Sequence, residues 1–236
     1  MRVHCELLAK TVAWQPDNRR PYENRREAGR ELAARLARYT GPDTVVLALP
    51  RGGVPVGYEV ARALEAPLDV FLVRKLGVPG HRELAMGAIA SGGVRVLNDD
   101  VVGWYGIAAS AIEQVAREEQ IELERRERAY RSGRPPIPLE GRTVVLVDDG
   151  LATGSTMRAA VQAIRAQRPG RIVVAVPVGA PDTCRQFSDI ADEVICARTP
   201  EPFSAVGLWY RDFTPTNDGQ VRELLHERLE ATGRAR

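Results

Sequence analysis

The chain has 236 residues, of which 44% are hydrophobic and 27% are charged, and its formal net charge is +2. This composition suits one globular domain with a sizeable core. Acids and bases are interspersed, so the charge pattern gives no reason to expect nucleic acid as a partner.

Cysteine usage and hydropathy narrow the class of protein further. Cys5, Cys184 and Cys196 are odd in number, far apart and in no CxxC pair, so we expect neither a disulfide framework nor a structural zinc site. Apolar runs such as 172–176 are far shorter than the ~20 residues of a membrane span. The N-terminus lacks the apolar stretch of a signal peptide. We expect a soluble, cytoplasmic protein with no membrane partner.

The first predicted elements alternate helix and strand. Residues 1–21 have weak periodicity and are interpreted as an N-terminal arm, and residues 23–38 follow a helical pattern. The β-branched run 44–50 predicts a strand, a helical stretch follows, and residues 68–73 predict a second strand. Apolar strands joined through a helix indicate a parallel sheet covered on both faces.

A basic cluster marks the start of this region: Arg19, Arg20, Arg25 and Arg26. Such a cluster could contact phosphate, but a solvated face is the favoured interpretation.

The middle of the chain is less regular. Residues 84–97 predict a hairpin that turns at Ser91-Gly92-Gly93. Residues 108–131 predict a long, highly charged helix with a thin apolar stripe, which either leans on the domain or forms a homodimer contact. A proline-rich connector, 132–141, follows it.

The second half repeats the alternation. Strands are predicted at 143–147, 171–176 and 193–197, and helices at 155–167 and 181–188. A stretch rich in proline and aromatic residues, 199–215, precedes a last helix with one apolar face. The whole pattern predicts a single α/β domain with a ligand crevice at the carboxyl ends of parallel strands.

One string carries most of the functional signal: VVLVDDGLATGST, residues 144–156. A buried strand that ends on Asp148 and Asp149 predicts a site, because burying an unpaired carboxylate costs several kcal/mol. The small residues that follow let the backbone approach a ligand, and the next helix begins with free N–H groups. Together they suit a phosphate dianion. An ordinary acidic turn is the alternative, and the length of the string favours the phosphate site.

This string resembles the phosphoribosyl pyrophosphate (PRPP) signature of type I phosphoribosyltransferases. The resemblance extends over about 22–230, and it is similar in particular to a poorly characterised bacterial branch with PRGG after the first strand and VRK after the second. It implies a parallel sheet with helices on both faces in a domain spanning 22–236. A helical insertion at 98–141 and a small hood at 199–215 complete that domain.

The resemblance also implies which residues contact PRPP. Asp148 and Asp149 would bind the ribose hydroxyls. The 5-phosphate would be bound by Ala152, Thr153, Gly154, Ser155 and Thr156. The pyrophosphate would be bound by Arg51, Gly52, Gly53, Arg74 and Lys75, often with a cis peptide in the first-strand loop. A simple tight turn is the alternative for the glycines, and solvated surface cations are the alternative for Arg74 and Lys75.

Catalytic and metal roles follow from the same resemblance. The catalytic candidates are Asp148, Asp149, Lys75 and Glu83. The last lies in segment 77–89, the place of the family's mobile loop, where its carboxylate could steady an oxocarbenium-like sugar. His81 in that loop is catalytic or simply solvated. Mg2+ would be held largely through PRPP and water, near Asp148, Asp149 and Asp212.

The acceptor is the least defined part. Phe203 and Trp209 are the candidates for stacking on a base, although core packing is favoured for Trp209, Tyr210 and Phe213 together. The hood lacks the usual purine-reading Lys or Arg, and the insertion could cover the site, restrict substrates or pair subunits. The expected activity is Mg2+-dependent transfer from PRPP to an unidentified nitrogenous base or similar nucleophile. The alternatives are a PRPP- or nucleotide-binding regulator without turnover and, with no dedicated nucleophile in view, a hydrolase of PRPP-like substrates.

Overall fold

The computed structural model describes residues 20–233, so residues 1–19 of the predicted arm lie outside the described part. The eight strands are β1 (Thr44–Ala48), β2 (Leu68–Val70), β3 (Val73–Val78), β4 (His81–Ala90), β5 (Val94–Leu97), β6 (Thr143–Val147), β7 (Arg171–Val178) and β8 (Glu193–Arg198). Five of them form a parallel sheet in the order β2-β1-β6-β7-β8, and β3-β4-β5 form an antiparallel sheet. The predicted α/β fold with a parallel core is confirmed.

Helices cover both faces of the parallel sheet. The α-helices of the described residues are α1 (Arg25–Arg35), α2 (Gly53–Ala63), α3 (Asp99–Trp104), α4 (Ala109–Arg131), α5 (Ser155–Arg165), α6 (Pro181–Gln186) and α7 (Asp218–Gly233). Along β1, Val46 and Ala48 pack on the side of α1, α2 and α7, whereas Val45 and Leu47 pack on the side of α5. Both faces are buried, which is why these strands read as continuous apolar runs.

The antiparallel sheet differs from what the sequence predicts. The hairpin that turns at residues 91–93 is confirmed as β4 and β5. Segment 77–89 is mostly extended strand in β3 and β4 rather than an irregular loop. Buried side chains such as Leu76, Val78 and Met86 give these strands an inner face, which pairing stabilises.

Two further features were not predicted. The short helix α3 begins after Asn98, whose side chain accepts a hydrogen bond from the Val101 backbone N–H at 3.2 Å. Cys184 and Cys196 form a disulfide, which the expectation of no disulfide framework misses. The fold brings α6 beside β8, with 6.6 Å between the two Cα atoms, and sequence spacing does not reveal that proximity.

Within residues 20–233, none of the helices is both long enough and apolar enough to cross a membrane.

Candidate functional site

The two acids at the end of β6 have different partners. Asp149 accepts a hydrogen bond through Oδ2 from Nε of Arg25 at 2.8 Å, whereas Asp148 Oδ1 accepts one from the backbone N–H of Asp149 at 2.9 Å. Asp148 has no ion-pair partner among the described residues. One acid is therefore paired with an arginine, whereas the other accepts a backbone hydrogen bond and has no ion pair within residues 20–233.

Arg25 is buried, so the prediction of a solvated basic face is wrong for this residue. Asn24 caps α1 by accepting hydrogen bonds from two backbone N–H groups, which places Arg25 at the first position of the helix. Its guanidinium also donates to the carbonyl of Thr214 at 2.9 Å and lies 3.9 Å from the ring centre of Phe213. Arg25 is thus fixed against Asp149.

The electrostatics of the two acids follow from these contacts. Burial raises the pKa of Asp148 well above its usual value, and the neighbouring charge of Asp149 raises it further. Burial also raises the pKa of Asp149, while the hydrogen bond and charge of Arg25 oppose that rise. Asp148 is consequently the acid that gains most from a donor or cation brought by a ligand.

The loop after β1 packs directly on these acids. A Cβ atom at Gly52 would lie 2.1 Å from Oδ2 of Asp149, and one at Gly53 would lie 2.9 Å from the Cα of Asp148. Glycine is required here for close approach, which a simple tight turn would not explain. The peptide bond between Pro50 and Arg51 is cis, as the resemblance implies. The PRGG and DDG stretches therefore form one structural unit.

The predicted phosphate loop, which we define as residues 150–156, runs into the first turn of α5. No side chain caps α5, so the N–H groups of its first turn are available to a ligand. Gly154 has a φ of +74°, and a Cβ there would lie 2.5 Å from the ring of Phe187. The hydroxyl groups of Thr153 and Ser155 lie 3.5 Å apart at the mouth of this turn. The arrangement suits a phosphate dianion.

Hydrogen bonds to neighbouring elements hold this loop in place. The backbone N–H of Leu151 donates to the carbonyl of Val178 at 2.9 Å. The hydroxyl of Thr183 donates to the carbonyl of Ala152 at 2.7 Å. The loop is thereby tied to β7 and to α6.

A cavity of about 230 Å³ lies between the loop after β1 and the first turn of α5, and we call it the arginine cavity. Its charged and polar lining consists of Arg51, Arg74, Arg125, Arg126, Tyr130, Thr156 and Asp218. Arg51 follows β1, Arg74 lies on β3 and Thr156 lies in the first turn of α5. The structure therefore brings two predicted pyrophosphate residues together with the phosphate loop.

Lys75 and Glu83 lie elsewhere. Lys75 is on the other face of β3 from Arg74, and its Nζ donates to the carbonyl of Glu83 at 2.9 Å and lies 3.4 Å from its carboxylate. Lys75 lines a separate cavity of about 690 Å³ together with Thr153 and Ser155. Neither residue lines the arginine cavity, so their catalytic and pyrophosphate roles stay predictions.

The predicted hood forms part of the wall behind the acids. The hydroxyl of Tyr210 donates to the carbonyl of Asp149 at 2.5 Å, and the ring of Phe213 stacks on Tyr210 at 5.1 Å. Core packing is thus confirmed for these two rings. Phe203 and Trp209 are half-buried against the same cluster. Their role as base-stacking residues stays a prediction.

The predicted metal residues do not form a preformed site. Asp212 accepts a hydrogen bond from the backbone N–H of Thr214 at 2.9 Å, and Asp149 is paired with Arg25. Across residues 20–233, no three His, Cys, Asp or Glu side chains are grouped so that they could hold a metal ion. A metal at this site would need oxygens from a ligand or from water.

Sequence reasoning missed several residues of the site. Nothing in the local pattern of Arg25 separates it from the neighbouring arginines. The sequence around Arg125, Arg126 and Tyr130 predicts only a charged helix. No short motif surrounds them, and only the packing of α4 against the end of β2 reveals them.

Comparisons with known proteins show which family this chain resembles. Two Mycobacterium tuberculosis proteins, from strains H37Rv and CDC 1551, are each 54% identical to the chain over 204 residues, which is 86% of this chain. The first is named "Putative phosphoribosyl transferase Rv0571c". The chain spans only 46% of the length of these relatives.

A solved structure and a family comparison extend this result. The crystal structure of the protein TT1426 from Thermus thermophilus is 43% identical, with a TM-score of 0.78 over 88% of this chain and 98% of the other. The family described as phosphoribosyl transferase domain matches residues 21–201. The chain therefore belongs to the phosphoribosyl transferase domain family.

Proposed function

We propose that the chain transfers the phosphoribosyl group of PRPP to a nitrogenous base or similar nucleophile and releases pyrophosphate. The convergence of three segments of the chain around the arginine cavity carries this proposal. The loop after β1 supplies Arg51, the strand after β2 supplies Arg74, and the phosphate loop supplies Thr156. In this proposal the anion cradle binds the 5-phosphate, the acids bind the ribose between the two anionic groups, and the cations bind the pyrophosphate.

Each part has a defined task in this proposal. The carboxylate of Asp148 accepts hydrogen bonds from ribose hydroxyls, while the exposed N–H groups of α5 bind the 5-phosphate. Arg51 and Arg74 stabilise the negative charge that develops on the leaving pyrophosphate. Most of the rate enhancement then comes from positioning and charge stabilisation.

Mg2+ fits as an ion that arrives with PRPP. It prefers oxygen ligands and keeps several waters, and Asp148 offers a carboxylate without an ion-pair partner among the described residues. When bound, it would neutralise part of the pyrophosphate charge. Asp149 and Asp212 would act through water, because each is already engaged within the protein.

The acceptor would enter from the hood side. Phe203 and Trp209 are only half-buried, so their rings could stack on a planar base. Glu83 would need to approach from β4, since it is exposed and contacts Lys75.

A second candidate is a PRPP-binding protein without turnover. The position of Lys75 and Glu83 favours it, because neither catalytic candidate lines the arginine cavity. Under this alternative, the acids and loops bind Mg2+-PRPP but nothing assists the attack of a base.

The test separates binding from turnover. Wild-type protein is mixed with Mg2+, PRPP and a panel of purine and pyrimidine bases, and pyrophosphate release is measured beside calorimetric titration with PRPP. The matched control is Asp148→Asn, which should lose both signals. Binding without release for any base supports the regulator, whereas the absence of PRPP binding contradicts both candidates.

A further inference from the structure

The lining of the arginine cavity includes residues that lie outside the PRPP signature. Two of its four arginines, Arg125 and Arg126, come from α4, which lies in the predicted insertion 98–141. Asp218 is the one acidic residue in the lining. Guanidinium groups from the loop after β1, from β3 and from α4 therefore face a single small space.

The size of the space restricts its ligand. About 230 Å³ is below the ~300–1,000 Å³ that typical small-molecule pockets occupy. Four guanidinium groups suit a compact anion with several oxygens, because arginine binds phosphate oxygens through paired N–H groups. A nucleoside would find little apolar surface in this lining.

The two α4 arginines are held ready for such an anion. Glu122, one turn earlier on α4, accepts hydrogen bonds from Arg125 at 2.7 and 3.0 Å and from Arg126 at 2.7 Å. These bonds lower the pKa of Glu122 to about 2, so its carboxylate is ionised at neutral pH. Each guanidinium carries five N–H groups, so donors remain for a ligand.

The end of α4 is fixed to the parallel sheet. Arg131 is buried, and its Nε lies 2.9 and 3.1 Å from the two carboxylate oxygens of Asp69 on β2. It also donates to the carbonyl of Val70 at 2.9 Å. Tyr130 donates to Asp218 at 2.7 Å. These contacts hold the last turns of α4 next to the loops that form the site.

We propose that Arg125 and Arg126 bind the pyrophosphate part of PRPP, so that the α4 segment completes the leaving-group site together with Arg51 and Arg74. This inference rests on the proposed function. It makes α4 a part of the binding machinery rather than a cover or a dimer contact.

The test uses the double variant Arg125→Gln/Arg126→Gln and titrations with three probes: Mg2+-pyrophosphate, Mg2+-PRPP and ribose 5-phosphate. Affinity for the first two should fall at least tenfold, and affinity for ribose 5-phosphate should stay within twofold of wild type. The pair of arginines is exposed, so its loss should leave the melting temperature nearly unchanged.

Two controls sharpen the result. Arg117→Gln removes a charge from α4 outside the cavity lining and should change none of the three affinities. Arg125→Lys/Arg126→Lys keeps the charge but loses the paired N–H geometry, so it should bind pyrophosphate with intermediate affinity.

The outcomes are distinguishable. If the Gln variant binds PRPP and pyrophosphate as wild type does, or loses all three ligands equally, the role of α4 is overturned while the proposed function stands. If wild type binds neither PRPP nor pyrophosphate, the proposed function fails, and this inference fails with it.

Discussion

The phosphate loop and the arginine cavity meet at Thr156, yet they present positive charge by different means. The loop offers backbone N–H groups at the uncapped start of α5, within a few consecutive residues. The cavity offers guanidinium groups from three separate parts of the chain. A backbone site depends on conformation and close approach, whereas a side-chain site depends on charge and on tertiary packing.

This difference predicts opposite responses to substitution. Ligand binding at the phosphate loop should be weakened by any added Cβ and should not change when charges are removed elsewhere. The cavity should respond to the loss of arginines on α4, as described above. The following predictions test that contrast, beginning with the largest effect.

Gly154→Ala should disrupt the phosphate loop, where backbone N–H groups would bind the ligand. The new Cβ would lie 2.5 Å from the ring of Phe187, and the left-handed backbone costs an L-residue about 1–2 kcal/mol. We expect ribose 5-phosphate affinity to fall about 100-fold, or about 3 kcal/mol, while Mg2+-pyrophosphate affinity changes little. Gly103→Ala, on α3 with open space around it, is the matched control. Equal losses of affinity for ribose 5-phosphate and for Mg2+-pyrophosphate would contradict the view that the loop and the cavity bind different parts of the ligand.

Gly179 lies close both to Leu151 of the phosphate loop and to the sulfur of Cys184. The disulfide is therefore next to the phosphate loop. Cys184→Ser/Cys196→Ser should lower the free energy of unfolding by about 3 kcal/mol, since the twelve-residue separation closes a short loop. Urea unfolding with and without a reductant measures this. If wild type unfolds identically under both conditions, the pair does not stabilise the fold in solution.

Asp149→Asn should destabilise the fold as well as weaken PRPP binding. Arg25 would remain buried without its carboxylate partner, at a cost of about 2 kcal/mol or more. Urea unfolding without ligand measures the loss. An unchanged free energy of unfolding would show that the ion pair with Arg25 contributes nothing to stability.

Asp148→Asn, unlike Asp149→Asn, should raise the free energy of unfolding. Burial raises the folded-state pKa of Asp148, so the folded protein favours the protonated acid. Stability is then lost as pH rises above about 3.9, the unfolded pKa, and Asn removes this loss. Without PRPP or Mg2+, we expect the variant to have a higher free energy of unfolding than wild type at neutral pH and an equal one below the unfolded pKa. Destabilisation at neutral pH would give Asp148 a structural role.

Much of the fold was predictable, because the parallel strands are buried on both faces and show continuous apolar runs. The acids and the phosphate loop were predictable because their residues are contiguous. Arg25 and the α4 arginines were not, since local patterns record amphipathicity and caps but not which distant loop a charge meets. The pairing of Cys184 with Cys196 was missed for the same reason.

Segment 77–89 shows a second limit. Its glycines and proline are typical of a loop, but buried residues such as Val78 and Met86 allow an antiparallel sheet. Tertiary pairing decided between the two interpretations.

The central claim is that one ligand spans the phosphate loop and the arginine cavity. Calorimetric titration of wild-type protein, with Mg2+ present, by ribose 5-phosphate, pyrophosphate and PRPP tests it directly. We predict that PRPP binds at least about tenfold more tightly than either fragment, because it engages both sides at once. PRPP affinity no greater than that of ribose 5-phosphate would contradict the account.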